Sequence, residues 1–357
     1  MKFFSLATAL LVIIYSCDGV SSNVLYETGP GCEYASFFGL KTEGENSDII
    51  IKSSEGKMSQ WITLPHNKDY QRIVCMSTSH ISYIESLGES KRIIGVSGGQ
   101  YVSSEYIQSG LSSGRIADIG YEGSLNYELL ISIQPDLVLT YGIDGEDNQY
   151  IEKIKQFGIN VISLGDYLEN HPLGKLEYVK LFGKLLHKYE VADSIYNETK
   201  DRYIKLKEIA KNVKTTNVLI NAPWKEVWYV PGKMSYMNIL IEDAGGKTLG
   251  SSDGSSYTKP YSIEEIFILS AKADIWLNPN SISSMFELLS TNPLFSDIPP
   301  VKHKKVYNNI KLSTPGGGSQ FWERGVVEPD IILKDLISIF HPELLSNYQQ
   351  KYYLHLD

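Results

Sequence analysis

The apolar positions between residues 171 and 213 follow helical spacing over nearly the whole segment. Apolar side chains recur at three- and four-residue steps up to Leu186, and the pattern resumes after Lys188. Pro172 suits the first helical position, and the second part contains no Gly or Pro. At about 1.5 Å per residue, that part spans roughly 30 Å. Since this exceeds a typical helix, we predict a rigid helical backbone over 171–213 that joins two lobes; a crossover helix within one sheet is the alternative.

Runs of β-type residues alternate with shorter helical patterns on both sides of this segment. Strands are predicted at 72–76, 92–97, 136–139 and 160–164 before it, and at 217–221, 274–277 and 305–307 after it. This alternation predicts an α/β fold with parallel sheets in two Rossmann-like lobes, 71–170 and 214–357. Two further runs, 34–40 and 47–53, predict a β-hairpin that precedes the first lobe.

The N-terminus has the layout of a secretory signal. Lys2 precedes an apolar run from Phe3 to Tyr15 that is too short to span a bilayer comfortably. The residues from Ile14 to Cys17 resemble a lipoprotein box, which predicts a signal peptide over 1–16 and a lipid on Cys17. Residues 17–70 would then hold a polar leash and the hairpin. The alternative is an ordinary signal cleaved near residues 21–22.

Composition excludes some classes of function. The formal net charge is −9 and no Lys/Arg cluster offsets it, which argues against nucleic-acid binding.

With Cys17 assigned to a lipid, Cys32 and Cys75 remain, and a disulfide and two free thiols suit the sequence equally well. No catalytic motif, nucleotide-binding glycine loop or metal-ligand spacing is present, so we expect no enzyme activity, bound metal or cofactor. A zinc or manganese receptor would need His80, His171 and His303 to converge.

The two predicted lobes repeat one local pattern. Asn126-Tyr-Glu128 precedes the strand at 136–139, and Ser262-Ile-Glu264 precedes the strand at 274–277. Each pattern places a capping residue before a carboxylate in the first helical turn, where the helix dipole favours it. Helix stabilisation would explain one such glutamate. Matching positions in two lobes point to a shared outer surface, with Glu265 directly beside Glu264.

Together these pieces resemble the helical-backbone substrate-binding proteins of bacterial ABC importers, which collect ferric siderophores, cobalamin and haem. The resemblance covers roughly residue 72 to the C-terminus. It rests on the order of Gly95-Val-Ser, the Asn126-Tyr-Glu128 segment, the helical backbone, Asp243-Ala-Gly-Gly246, Ser262-Ile-Glu264 and Phe321-Trp-Glu-Arg324. It implies an exported, lipid-anchored, periplasmic monomer with a ligand cleft between the lobes. It also implies that Glu128 and Glu264 dock onto arginines of the permease, which works with an ATPase.

The candidates for the cleft are loop residues that follow predicted strands. Aromatic faces suit a planar macrocycle or a catecholate, and one arginine suits an anionic group on it. Packing within a lobe is the alternative for each aromatic, and an internal ion pair with the adjacent Glu323 is the alternative for Arg324. A ferric siderophore or related metal chelate is the first expectation, cobalamin the runner-up and haem the third, while an enzyme such as a chelatase on this scaffold is less favoured. The seven candidates are Tyr101, Tyr121, Tyr141, Trp224, Tyr257, Trp322 and Arg324.

Overall fold

The computed structural model describes residues 27–43, 46–52, 58–64, 68–142, 149–252 and 254–357. The predicted signal segment 1–16 and Cys17 lie outside the described residues. None of the helices in the described ranges is both long and apolar enough to cross a membrane.

A small antiparallel sheet precedes the first lobe. Its strands are β1 (Phe38–Glu43), β2 (Asn46–Lys52) and β3 (Met58–Leu64), paired in that order. Ile49, Ile50 and Ile51 of β2 are all buried, as expected for the central strand of this sheet. The predicted hairpin is present as β1 and β2, shifted by several residues at the first strand, and the sequence pattern did not reveal β3.

The first lobe is a five-stranded parallel sheet with helices on both faces. The spatial order β6-β5-β4-β7-β8 and its parallel pairing confirm the predicted βαβ rhythm. The elements are β4 (Ile73–Cys75), α1 (Thr78–Ser86), β5 (Ile93–Val96), α2 (Glu105–Ser112), β6 (Ala117–Asp118), α3 (Tyr127–Ser132), β7 (Leu137–Tyr141), α4 (Gln149–Gln156) and β8 (Val161–Leu164).

The segment 171–213 contains two helices rather than one. They are α5 (Pro172–Leu185) and α6 (Tyr189–Ile209). At the break, His187 has a left-handed backbone (φ 56°), and the Lys188 N–H donates to the Gly183 carbonyl at 2.8 Å. This bond and this conformation form a Schellman ending, in which histidine replaces the usual glycine. The prediction of continuous helix over 171–213 was therefore wrong at the break.

The two helices run antiparallel. Close to the break, a Cβ on Gly183 would lie 2.5 Å from the Cβ of Ala192, so the close approach needs glycine. Farther from the break, the Lys180 ammonium lies 3.9 Å from the centre of the Tyr196 ring. The helix that joins the lobes is consequently α6 alone, with its 21 residues.

Contacts from its middle turns hold α6 in place. Lys200 pairs at 2.8 Å with Glu33, in the segment that precedes the first lobe. Towards the second lobe, the Tyr203 hydroxyl donates to Asp243 at 2.8 Å, and Arg202 pairs with Asp330 at 2.6 Å. These contacts and the matched sheets confirm the predicted fold class.

The second lobe repeats the parallel plan and adds an antiparallel edge strand from the C-terminal tail. The sheet order is β11-β9-β13-β14-β15, and β10 and β12 form a separate ribbon. The elements are β9 (Thr216–Ile220), β10 (Val227–Val230), α7 (Tyr236–Asp243), β11 (Gly246–Thr248), β12 (Lys259–Ser262), α8 (Ile263–Ser270), β13 (Ile275–Leu277), α9 (Met285–Thr291), α10 (Pro299–Lys302), β14 (Val306–Asn308), α11 (Gln320–Glu323), α12 (Pro329–Phe340) and β15 (Leu354–His355).

Buried carboxylates fasten both terminal segments to this framework. Glu177 accepts the backbone N–H groups of residues 33–35 at 2.8 to 2.9 Å, and Glu169 accepts those of residues 36 and 37, both at 2.8 Å. In the second lobe, Asp335 accepts the N–H groups of residues 351–353 and the Tyr348 hydroxyl. Because buried N–H groups need partners, these carboxylates hold in place the chain segments that enter and leave the core.

Candidate functional site

A cleft of about 480 Å³ lies at the carboxyl edge of the first lobe's sheet. Each of the five parallel strands contributes a residue at or just after its last position. In a parallel sheet these positions share one edge, which is where ligands bind in open α/β folds. The lining residues are Met76, Ser77, Thr78, Ser97, Gly98, Tyr101, Tyr121, Tyr141 and Tyr167.

Four tyrosines dominate this lining. Tyr101, Tyr121 and Tyr141 were predicted as cleft residues, and the structure brings all three together. Tyr167 was missed, although it follows β8 as the others follow their strands. Its hydroxyl donates to the Gly142 carbonyl, which fixes the ring at the rim. Tyr101, Tyr121 and Tyr167 remain 43 to 57% exposed, so their ring faces are available to a ligand.

The Gly98–Gly99 turn forms the part of the cleft after β5. Gly98 has a left-handed backbone (φ 63°), which favours glycine. The Asp118 carboxylate accepts the N–H groups of Gly98 and Gly99 at 3.1 and 2.7 Å, and that of Gly120 at 3.0 Å. An internal carboxylate therefore occupies the backbone donors of this turn.

The two lobes touch directly beside the cleft. A Cβ on Gly316 would lie 2.3 Å from the Gln100 carbonyl oxygen, and one on Gly318 would lie 1.8 Å from that of Tyr101. The glycine run 316–318 therefore permits the close approach of the two backbones. Next to it, the Ser103 N–H donates to the Glu323 carboxylate across the lobes at 2.7 Å. Burial raises the pKa of Glu323 to about 7.

The three predicted aromatics of the second lobe are not among the described residues that line the 480 Å³ cleft. Trp224 and Tyr257 stand on loops and are 68% and 78% exposed. Trp322 lies in α11, is half exposed, and its ring centre lies 6.1 Å from that of the partly buried Tyr236. Their contact with a ligand stays a prediction.

Arg324, the predicted partner for an anionic group, pairs instead with a carboxylate of its own lobe. Its Nε donates to Glu328 at 2.8 Å, and this pairing raises the pKa of Arg324 despite partial burial. Glu328 also accepts bonds from Lys351 and Tyr352. Arg324 is not among the residues that line the cleft.

Glu128 and Glu264 lie in the first turns of α3 and α8. Both are exposed, and neither has an ion-pair partner among the residues that the structure describes. The neighbouring Glu265 is committed to a capping box: its carboxylate accepts the Ser262 N–H at 2.8 Å, and the Ser262 hydroxyl accepts the Glu265 N–H at 3.2 Å. Of the two adjacent glutamates, Glu264 therefore has the unengaged carboxylate.

Cys32 and Cys75 are free thiols, so of the two alternatives left by the sequence, a disulfide and two free thiols, the structure has the free thiols. Cys75 is buried in the central strand β4, and the Cys32 thiol donates to the Phe38 carbonyl at 3.6 Å. Burial raises the pKa of both thiols and keeps them protonated.

The three histidines considered as receptor ligands have separate structural settings. His80 is buried 3.5 Å from Asp166, beneath the first lobe's sheet edge. His171 accepts the Leu173 N–H at the start of α5, and burial lowers its pKa to about 4. His303 follows α10 in the second lobe. A metal receptor built from these side chains has no support in their contacts.

Comparison with known proteins gives a family match. A family model described as "Periplasmic binding protein" matches residues 73–309, from β4 of the first lobe through the joining helix to β14 of the second lobe. An uncharacterized lipoprotein of Methanocaldococcus jannaschii is 26% identical over 325 residues, covering 86% of this chain and 75% of that protein.

Two solved structures show the same fold. A protein of Staphylococcus epidermidis, described as a possible iron-binding (periplasmic solute-binding) protein, has a TM-score of 0.60 and 23% identity, covering 77% of this chain and 100% of that one. A periplasmic heme binding protein of Pseudomonas aeruginosa has a TM-score of 0.58 and 18% identity, covering 76% and 93%. The fold is thus shared by proteins described with different ligands, and the ligand has to be argued from the cleft itself.

Proposed function

Because this chain belongs to the periplasmic binding protein family, we propose that it is the substrate-binding component of an ABC importer and captures a metal chelate, such as an iron–siderophore complex. Similar folds belong to proteins described as iron-binding and heme binding. The importer's permease and ATPase are its partners in this proposal. Cobalamin is the alternative cargo of the same site.

The observation that carries the proposal is the convergence of four tyrosines at the carboxyl ends of the first lobe's strands. The volume of the cleft, about 480 Å³, lies within the range of small-molecule sites. Aromatic rings with polar tips bury a large ligand face while their hydroxyls bond to its heteroatoms. The exposed aromatic loops of the second lobe supply further stacking surfaces for a bulky chelate.

Delivery to the permease rests on the exposed glutamates. Each lobe has an exposed carboxylate in the first turn of a helix, without an ion-pair partner among the described residues. Such a carboxylate suits reversible pairing with an arginine. Glu128 and Glu264 are the proposed docking residues. Glu265 is excluded from this role by its capping box.

Membrane attachment is proposed to occur through a lipid on Cys17. The sequence from Ile14 to Cys17 supports it, as does the lipoprotein description of the Methanocaldococcus jannaschii relative. The chain would then be exported and tethered to the outer face of a membrane. Replacing Cys17 with Ser should move the protein to the soluble fraction, and retention on membranes would contradict the lipid anchor.

The proposal is tested by isothermal titration calorimetry of the full chain in detergent. The panel consists of ferric siderophores of several classes, haemin and cyanocobalamin, with the iron-free siderophores as controls. We expect saturable one-to-one binding of at least one chelate with a Kd of about 1 μM or tighter. Absence of binding across the panel would contradict the proposed function.

A further inference from the structure

The charge of the cleft restricts the kind of chelate it accepts. Among the residues that the structure describes, nine line the cleft, and none of these nine is Asp, Glu, Lys, Arg or His. The polar atoms that face the cavity belong to hydroxyls and backbone groups. Building on the proposed function, we infer that the ligand is a metal chelate without net negative charge, such as an uncharged ferric hydroxamate complex.

Backbone donors at the cleft do not provide an anion site. Successive N–H groups of a glycine turn form a concavity that commonly binds an anion. Here Asp118 already occupies the Gly98 and Gly99 donors, at 3.1 and 2.7 Å. An anionic ligand near this turn would meet the Asp118 carboxylate rather than free N–H groups, and like charges repel.

Cations close to the site are also engaged. Arg324 donates to Glu328 at 2.8 Å. Lys175 is buried, donates to the Asp166 carbonyl at 2.7 Å and lies 5.3 Å from the centre of the Tyr236 ring. Lys225, in the exposed turn beside Trp224, is not among the described residues that line the cleft.

The energetics follow from these contacts. Moving an anion from water into a site without a counter-charge is unfavourable, because the anion loses hydration that nothing in the site replaces. An uncharged chelate avoids that cost, and its exposed oxygens accept bonds from tyrosine hydroxyls. A cationic chelate would gain from the tyrosine faces as well. The cleft therefore discriminates against tris-catecholate complexes and against haem with its two carboxylates.

The test compares chelates of similar size and different charge on the full chain in detergent. An uncharged ferric trihydroxamate should bind at least about tenfold more tightly than an anionic ferric tris-catecholate. Its Kd should change less than about twofold between 0.01 and 1 M salt, over which the screening length falls from about 30 to about 3 Å. Tighter binding of the tris-catecholate would overturn the inference while the proposed function stands. Absence of binding by every chelate would overturn both.

A charge introduced into the lining provides the second arm. Ser97→Lys places an ammonium group in the cleft, and Ser97→Gln is the matched uncharged control. Relative to the control, the lysine variant should bind the tris-catecholate about tenfold more tightly and the trihydroxamate no more tightly. If the wild type already binds the tris-catecholate as tightly as the lysine variant does, the inference is wrong. Circular dichroism spectra matching the wild type establish that both variants are folded.

Discussion

The two lobes share a parallel sheet plan but present different residues at their strand ends. In the first lobe, the strand ends carry tyrosines that line the cleft. In the second lobe, asparagines stand there instead: Asn221 follows β9 with φ 64°, and Asn278 follows β13 with φ 55°. The Asn221 amide donates to the Tyr229 carbonyl at 2.9 Å, so this asparagine holds its own lobe's loops.

From this difference we expect the first lobe to present a fixed surface to the ligand and the second lobe to present an adjustable one. In the first lobe, Tyr141 is the last residue of β7 and the Tyr167 hydroxyl donates to the Gly142 carbonyl, whereas Trp224 and Tyr257 stand on exposed loops, which move more readily. The tyrosines of the first lobe therefore form the preorganised part of the proposed site. Trp224 and Tyr257 of the second lobe stand on loops, and we expect these loops to close on a ligand already bound to the first lobe.

The largest expected effects concern the buried carboxylates that both lobes have in common. Glu177→Ala would leave three backbone N–H groups, one buried and two partly buried, without their carboxylate partner, and Asp335→Ala would do the same to three in the second lobe, of which two are buried. Each variant should lose about 3 kcal/mol or more of unfolding free energy, measured by urea denaturation. The control is Glu33→Gln, which removes an exposed ion pair and should cost less than about 1 kcal/mol. Equal losses in all three variants would contradict the anchoring role.

The next effect is a pH dependence of stability. Burial raises the pKa of Glu169 in the first lobe and of Glu323 between the lobes to about 7, from an ordinary value of 4.5. Between these pH values the folded chain holds protons that the unfolded chain has released, so stability falls as pH rises from 4.5 to about 7. In Glu169→Gln and in Glu323→Gln, the free energy of unfolding should decrease over this pH range by about 2 kcal/mol less than in the wild type. An unchanged pH profile in Glu323→Gln would contradict burial of that carboxyl between the lobes.

A smaller effect should distinguish the outer surfaces from the cleft. Glu128→Arg and Glu264→Arg should each reduce chelate uptake about tenfold and leave the chelate Kd unchanged, because a charge reversal replaces attraction to the permease with repulsion. Uptake into proteoliposomes that contain the importer measures the first quantity, and calorimetry measures the second. Glu265→Gln is the neighbouring control and should affect only the stability of α8. A weakened chelate Kd in Glu128→Arg would place this residue in the ligand site.

Much of the fold was predictable because its signals are local. The alternation of strands and helices, the paired glutamates and three of the four cleft tyrosines follow from periodicity, capping and position after a strand. The apolar pattern pauses between Leu186 and Lys188, but it did not reveal that a helix ends there, since a Schellman ending with histidine lacks the usual glycine. Glu177 resembles a solvent-facing helical charge in the sequence, and only the packing of residues 33–35 against it explains its burial.

For two residues, the sequence contained a signal that the prediction of the site did not use: Tyr167 was left out of the cleft and Arg324 was placed in it. Tyr167 follows a predicted strand just as Tyr101, Tyr121 and Tyr141 do, and the same rule would have included it. Arg324 and Glu328 are four residues apart, a spacing that favours an ion pair on a helical surface. That spacing would have argued against a free arginine in the cleft.

The most direct test of the account compares the two faces with one chelate. The Kd of the tightest-binding chelate is measured by calorimetry for Tyr121→Ala/Tyr167→Ala in the first lobe and for Trp224→Ala/Tyr257→Ala in the second. We predict a loss of about 30-fold or more in the first-lobe variant, since each stacked aromatic contributes about 1 kcal/mol or more, and less than about fivefold in the second-lobe variant. Unchanged affinity in Tyr121→Ala/Tyr167→Ala would contradict the assignment of the tyrosine-lined cleft as the binding site.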